Sequence, residues 1–281
     1  MRSVLGVIGG SGLYEIHGLT QVDEVRVETP FGPPSDAVVR GALGETGMLF
    51  LPRHGRGHRI PPHQINFRAN VCALKMLGAT HLLSVSAVGS MKEDIIPGDF
   101  VVVDQFIDLT KRRVSTFFED GVVAHVSFAD PVCEHLALAV AAAAERAGAR
   151  VHRSGSYVCI EGPQFSTRAE SHLYRSWGVS IIGMTAMPEA KLAREAELPY
   201  ALLALATDYD CWHATEEDVN IDAVLAVLHR NVATARRTVA ELARALPDPS
   251  TSRASGALAA AIMTRRDEIP PTTLARLAWL L

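Results

Sequence analysis

The sequence has no run of about 18 or more apolar residues, which excludes an ordinary membrane-spanning helix. Its first ten residues lack the long apolar core of a signal peptide. Cysteine is scarce: Cys72, Cys133, Cys159 and Cys211 stand 61, 26 and 52 positions apart, with no CxxC pair. That spacing fits neither a zinc knuckle nor a disulfide framework, so apolar core fillers in a reducing compartment are expected. An excess of one charge is missing too, with 27 Lys and Arg against 31 Asp and Glu, a net charge of −4. Such a chain has no global field for gathering nucleic acid, and any anion site must be local. Beyond alanine enrichment there is no repeat or low-complexity tract. A cytoplasmic protein is expected.

Several familiar motifs are absent as well. Gly10-Ser11-Gly12 begins a dinucleotide-binding fingerprint, but Glu15 stands where its last glycine belongs, and no Gly-Lys-[Ser/Thr] ending follows. His54 and His58 are four apart with glycines between them, which argues against a zinc-binding helix. The stretch Ser84 to Ser90 contains no GxSxG elbow.

At 281 residues and 48% hydrophobic, the chain can bury a large core as one domain or two. Short β-branched runs alternate with helical patterns, the mark of an α/β fold. Strands are expected at 4–8, 38–40, 47–51, 80–85, 100–107, 151–160, 180–182 and 200–206. Helices are expected at 63–77, 131–147 (stopped by Gly148), 167–177, 188–197 and 221–246. After Leu246 comes a Pro/Ser-rich turn, and the apolar residues 274–281 are expected to pack on the body or on a neighbouring subunit. The expected organisation is a catalytic domain over 1–246 with a helical extension over 247–281.

Four segments carry candidate chemistry. The Gly9-Gly10-Ser11-Gly12 turn exposes backbone N–H groups suited to an oxyanion, although a tight turn without ligand explains it equally. Arg53 to Arg59 holds three arginines and two histidines in seven residues, directly after a strand where open α/β sheets place ligands. Ser84 to Ser90 offers hydroxyls at another strand end, or a plain strand-to-loop transition. Asp208 and Asp210 follow a very apolar strand and point the same way if strand geometry persists. Buried carboxylates usually serve a ligand, a metal or a proton transfer. With no companion histidine a metal site is thin, and recognition of a nitrogen heterocycle fits better.

In order, the segments Gly9 to Leu13, Thr29 to Asp36, Arg53-His54-Gly55, Ile160 to Ser166, Gly183 to Glu189 and Ala206 to Trp212 resemble the purine nucleoside phosphorylase superfamily. The resemblance points in particular to its 5′-methylthioadenosine phosphorylase branch. It implies a single α/β domain with a mixed central sheet flanked by helices, and a homotrimer. The implied reaction is phosphorolysis of S-methyl-5′-thioadenosine to adenine and 5-methylthioribose 1-phosphate, with no metal or organic cofactor. A broader activity on adenosine, inosine or methylthioinosine is one alternative, and Pro61-Pro62-His63-Gln64 is similar to relatives that take methylthioinosine. A nucleotide-sensing module without turnover is the other.

The resemblance assigns Ser11, where many relatives have Thr, with Arg53, His54, Ser86, Ala87 and Thr185, to phosphate. It places Met184 under the ribose, Phe165 and Ser166 on the purine wall, and Ile221 and Val224 in the methylthio pocket. The last two equally suit ordinary helix core. His125 matches a residue supplied across the trimer interface, and His58 lies near phosphate or sugar or is structural. Asp208 is expected to hydrogen-bond and protonate purine N7. Asp210 would accept from the 6-amino group or hold Asp208. Branches that use 6-oxopurines carry Asn at the position of Asp208. A carboxylate facing a 6-oxo group would meet acceptor with acceptor, costing about 1–3 kcal/mol in a dry pocket.

Overall fold

A computed structural model describes residues 3–10, 13, 15–213 and 221–281, with the side chains at 221–226 and 228–230 outside that description. In chain order the strands are β1 Val4–Gly9, β2 Thr20–Val25, β3 Val38–Leu43, β4 Thr46–Pro52, β5 His81–Ser90 and β6 Phe100–Val103. They continue with β7 Gln105–Asp108, β8 Val151–His152, β9 Ser156–Cys159, β10 Ile181–Gly183 and β11 Tyr200–Asp208. The helices are α1 Phe67–Met76, α2 Glu134–Arg146, α3 Arg168–Ser176, α4 Glu189–Glu195, α5 Ile221–Ala243 and α6 Pro271–Arg276.

The strands form one mixed sheet. β1 pairs in parallel with β4 and β5, and β11 runs parallel along the other edge of β5. Two apolar layers cover its faces. On one, Phe67, Val71 and Leu74 of α1 and Leu192 of α4 meet the sheet. On the other, Leu136 and Val140 of α2 and Val239 and Leu242 of α5 do so. Fully buried central strands explain the near-continuous apolar run of Tyr200–Asp208. Alanine-rich α2 uses the strongest helix formers and stops at Gly148, whose φ of 87° suits a glycine.

Some expected elements differ. The run 100–107 is two strands, broken at Asp104, whose amide bonds the Gly155 carbonyl. The run 151–160 is likewise split into β8 and β9. The helix expected from His63 starts at Phe67, where Asn66 accepts from the Ala69 amide, after a 3-10 turn at Pro62–Gln64. Strand β2 was not expected at all. The segment after Leu246 is mostly turns, with only the short α6 helical among its longer elements. Leu277 is fully buried, and Trp279 meets the Phe117 ring edge-on at 5.0 Å and Phe31 at 6.3 Å.

The site is prepared by a fork in this sheet. Along one edge, β5 pairs with β1 as far as Ser84 and with β10 only from Gly89. Among the described residues, 85–88 therefore have no strand partner there. Val85 turns its carbonyl to that edge, toward Arg53, so alternation along the strand brings the Ala87 backbone to the same gap.

Candidate active site

A cavity of about 280 Å³ opens at this fork, at the carboxyl ends of the parallel strands β1, β4, β5 and β11. Gly10, Arg53, His54, Ser86, Ala87 and Thr185 line one part of it. Phe165, Ser166, Met184, Asp208 and Asp210 line the rest. Ser11 lies outside the described residues, as do the side chains of Ile221 and Val224. His125 is exposed and outside the cavity of its own chain, its amide bonded to the Ala261 carbonyl. His58 also lines the cavity and stacks on His54 at 4.1 Å.

One end of the cavity is a cluster of hydroxyls. Ser86 Oγ lies 2.8 Å from Thr185 Oγ1. Beneath them the Tyr157 hydroxyl accepts from the Thr185 amide at 3.3 Å, and burial pushes its pKa up to about 12. Tyr157 reaches this place only because residue 183 is glycine: a Cβ there would lie 2.1 Å from the Tyr157 oxygen. No local signal in the sequence marks Tyr157, whose partner is 28 positions away.

Arg53 is placed differently from a simple anion grip. Its side chain is buried, and Nε and Nη2 donate to Glu189 at 3.0 and 3.2 Å. Nη2 also reaches Ser84 Oγ at 2.7 Å and the Ile8 carbonyl at 3.1 Å, while Nη1 donates to the Val85 carbonyl at 3.2 Å. Glu189 takes a further bond from Tyr200 at 3.1 Å. The arginine thus ties β1, β4, β5 and α4 together below the cavity. Glu189 lies within the sequence motif Gly183 to Glu189, but its role follows only from a partner 136 positions away.

At the opposite end β11 finishes on Asp208, after a register irregularity between Ala206 and Asp208. Strand geometry does not persist: Asp210 has a φ of 53°. The turn brings both carboxylates to the cavity nonetheless. Asp208 accepts from the Thr207 hydroxyl at 2.7 Å and from the Asp210 amide at 2.8 Å. Burial raises the pKa of Asp208, with Asp210 adding to the rise and those two bonds opposing it. Burial also raises Asp210. Gly89 makes room, since a Cβ there would lie 3.0 Å from Asp208 Oδ1. The indole of Trp212 donates to the Ser90 carbonyl at 2.7 Å, and the Arg175 guanidinium lies over its ring.

The floor between the two ends is held by Arg113, a residue outside the motifs. Its guanidinium donates to the carbonyls of Met184 and Glu161, both at 2.7 Å, and to that of Met187. It thereby fixes the loop after β10 against the loop after β9. Phe165 is half exposed at the mouth.

A cavity that joins a hydroxyl cluster to the carboxylates of Asp208 and Asp210, on a mixed sheet flanked by helices, is the arrangement to compare with known enzymes. Residues 4–244 match the phosphorylase superfamily, and the chain belongs to it. It is 56% identical to the S-methyl-5′-thioadenosine phosphorylase of Geobacter sulfurreducens, over 99% of this chain and 97% of that one. Against that of Hyperthermus butylicus it is 52% identical, over 91% and 93%. Among solved structures, a methylthioadenosine phosphorylase from an antarctic soil metagenomic library superposes with a TM-score of 0.94 at 48% identity, covering all of both chains. The methylthioadenosine phosphorylase of Schistosoma mansoni in complex with adenine gives 0.88 at 39% identity, covering 92% and 99%. Among the described residues no helix is long and apolar enough to cross a membrane.

Proposed function

We propose that this protein cleaves S-methyl-5′-thioadenosine with inorganic phosphate, releasing adenine and 5-methylthioribose 1-phosphate. One observation carries the reading: a single cavity joins the Ser86–Thr185 hydroxyl pair to the Asp208–Asp210 carboxylates. Phosphate held at the first end attacks C1′ of a nucleoside whose base lies at the second. The bond from C1′ to the base breaks as the new C–O bond forms, and positive charge grows on the sugar. Asp208, with its pKa raised by burial, carries a proton to purine N7 and makes the base a better leaving group. Asp210 accepts from the 6-amino group. Met184 lies under the ribose, and Phe165 and Ser166 wall the purine.

Ser11, Arg53, His54 and the Ala87 amide complete the phosphate site in this reading, with Arg53 acting largely by tying the strand ends together. Ile221 and Val224 receive the methylthio group, and His125 of one subunit reaches the pocket of the next within a homotrimer. The reaction needs no metal or organic cofactor, and the enzyme works in the cytoplasm. The strong likeness to S-methyl-5′-thioadenosine phosphorylases over the full chain supports this substrate.

Kinetics on methylthioadenosine, adenosine, methylthioinosine and inosine, with and without phosphate, test the proposal. Methylthioadenosine should be the best substrate, and turnover should vanish without phosphate. Turnover that ignores phosphate would make the phosphorylase reading wrong. Asp208→Asn should lower kcat/KM on 6-aminopurines by about tenfold or more beyond any loss on 6-oxopurines, as expected for removing one charged hydrogen-bond partner. An equal loss on both would sink the base-selection argument.

A further inference from the structure

The last residue of β11 before Asp208 is Thr207, a buried hydroxyl that neither the phosphate cradle nor the base contacts account for. It sits in the register irregularity of that strand. Ala206 pairs with Val88 and Asp208 with Gly89, so Thr207 has no opposite number on β5. Along a regular strand the side chains of neighbours point to opposite faces. The extra residue re-aims them, and Thr207 Oγ1 comes to lie 2.7 Å from Asp208 Oδ2. The same hydroxyl oxygen lies 3.2 Å from the Val88 carbonyl.

The hydroxyl has one hydrogen and two oxygens to offer it to. The Val88 carbonyl can only accept. Asp208 Oδ2 accepts while the carboxylate is ionised, and when it carries the proton it can donate to Thr207 Oγ1 instead. Thr207 can therefore be satisfied in both states, its hydrogen going to Asp208 when that group is charged and to Val88 when it is neutral. The two bonds are unequal, because one to a carboxylate is about twice as strong as one between neutral groups. Asp208 Oδ1 has a fixed partner, the Asp210 amide at 2.8 Å, which has no second choice of this kind. Burial raises the Asp208 pKa and favours the neutral acid before reaction, and the Thr207 bond opposes that rise.

We propose that Thr207 is a positioning residue for proton delivery, its hydroxyl turning from Val88 to Asp208 as the carboxyl gives its proton to the purine. The electron pair of the C1′–N9 bond passes to the base, N7 takes the proton, and Asp208 is left as a carboxylate. It regains a proton from water after adenine departs. A bond that gains strength only as that carboxylate forms lowers the barrier without tightening substrate binding. The inference rests on reading Asp208 as the acid that protonates the base.

Thr207→Val keeps the branched shape and removes the hydroxyl. In the full chain at saturating phosphate, its single-turnover rate on methylthioadenosine should fall about tenfold, the excess of a charged over a neutral hydrogen bond. KM for the nucleoside and for phosphate should stay within about twofold, as for an interaction made in the transition state alone. Thr207→Ser, which keeps the hydroxyl, should hold the rate within about threefold of wild type. In the Asp208→Asn background no carboxylate forms, so adding Thr207→Val should cost less than about twofold more. A full rate in Thr207→Val, a loss carried by KM, or equal losses in the two backgrounds would overturn the inference. Thr207→Ser and Thr207→Ala differ by the hydroxyl alone and decide the matter if the valine variant fails to fold: the same tenfold gap is expected, and equal rates would overturn it. A wild-type rate in Asp208→Asn would instead remove the reading beneath it.

Discussion

Gly89→Ala is a small change beside Asp208, where our proposal seats the base. The φ of Gly89 lies outside the left-handed region, so the backbone admits alanine and only the new methyl matters. That methyl would sit 3.0 Å from Asp208 Oδ1 and 3.0 Å from Ile182 Cγ2, so it is pressed from both sides. Relief to an ordinary contact requires shifts of a few tenths of an ångström. Ile182 is buried in the sheet and yields little. Asp208 must move instead, against its bonds from Thr207 at 2.7 Å and the Asp210 amide at 2.8 Å.

A misplacement of about 1 Å at a reacting group costs about 10²-fold, so a shift of this size should cost about threefold to tenfold, or about 0.7–1.4 kcal/mol. The assays are adenine affinity by calorimetry and kcat/KM for methylthioadenosine. Both should fall by that factor, while phosphate affinity, which our proposal places at the far end of the cavity, stays within twofold (about 0.4 kcal/mol). Overpacking of about 1–3 kcal/mol is partly offset by about 0.4–1 kcal/mol from a stiffer unfolded chain, so the protein should stay folded. A variant that binds adenine with full affinity, or loses phosphate and adenine alike, would refute the placement of the base against Asp208.

Three further outcomes follow from buried charges. Arg53→Met leaves Glu189 buried without its cation and should cost about 3–5 kcal/mol in urea unfolding, with the Arg53→Met/Glu189→Gln double variant recovering part of it. Arg113→Met removes the donors that fix the carbonyls of Met184 and Glu161, so KM for the nucleoside should rise about tenfold, as for loss of about 1.4 kcal/mol of charged hydrogen bonding, with KM for phosphate changing far less. Glu195 accepts from the Thr116 hydroxyl and the Phe117 amide, both at 2.7 Å, and burial raises its pKa above 4.5. Its contribution to stability is therefore full below the unfolded value and lost as pH rises through the folded one. Urea midpoints at about pH 4 and about pH 7 should show the advantage of the wild type over Glu195→Gln shrinking with pH, and a widening gap would reverse the sign.

The parts of this fold legible in the sequence are those set by local pattern. Buried strands such as β1 and β11 are apolar runs, and α2 announces itself by alanine and by Gly148. β2 stayed hidden because Thr20–Val25 is a polar edge strand with most of its residues exposed, so it carries no apolar alternation. The break at Asp104 was hidden for the opposite reason, since apolar residues continue on both sides and only pairing across the sheet ends each strand, whereas the break at Arg153-Ser154-Gly155 is polar and carries a glycine that marks it. In the site, Asp208 and Asp210 were legible as charges after an apolar strand. The engagement of Arg53 by Glu189, the seat of Tyr157 under Thr185 and the grip of Arg113 were not. Each depends on a partner at least 28 positions away along the chain, and the nearest carbonyl Arg113 reaches is itself 47 residues off.

The buried Arg53–Glu189 pair constrains how a lineage can change. Losing either residue alone strands a charge in the interior, while losing both to apolar residues is far milder. The two codons lie 136 positions apart, yet neither can drift freely without the other. Descent by single steps must cross an intermediate too unstable to persist, so in related chains these positions should be kept together or exchanged together. The strand ends they join, where the co-substrate is held in our reading, inherit the same historical inertia.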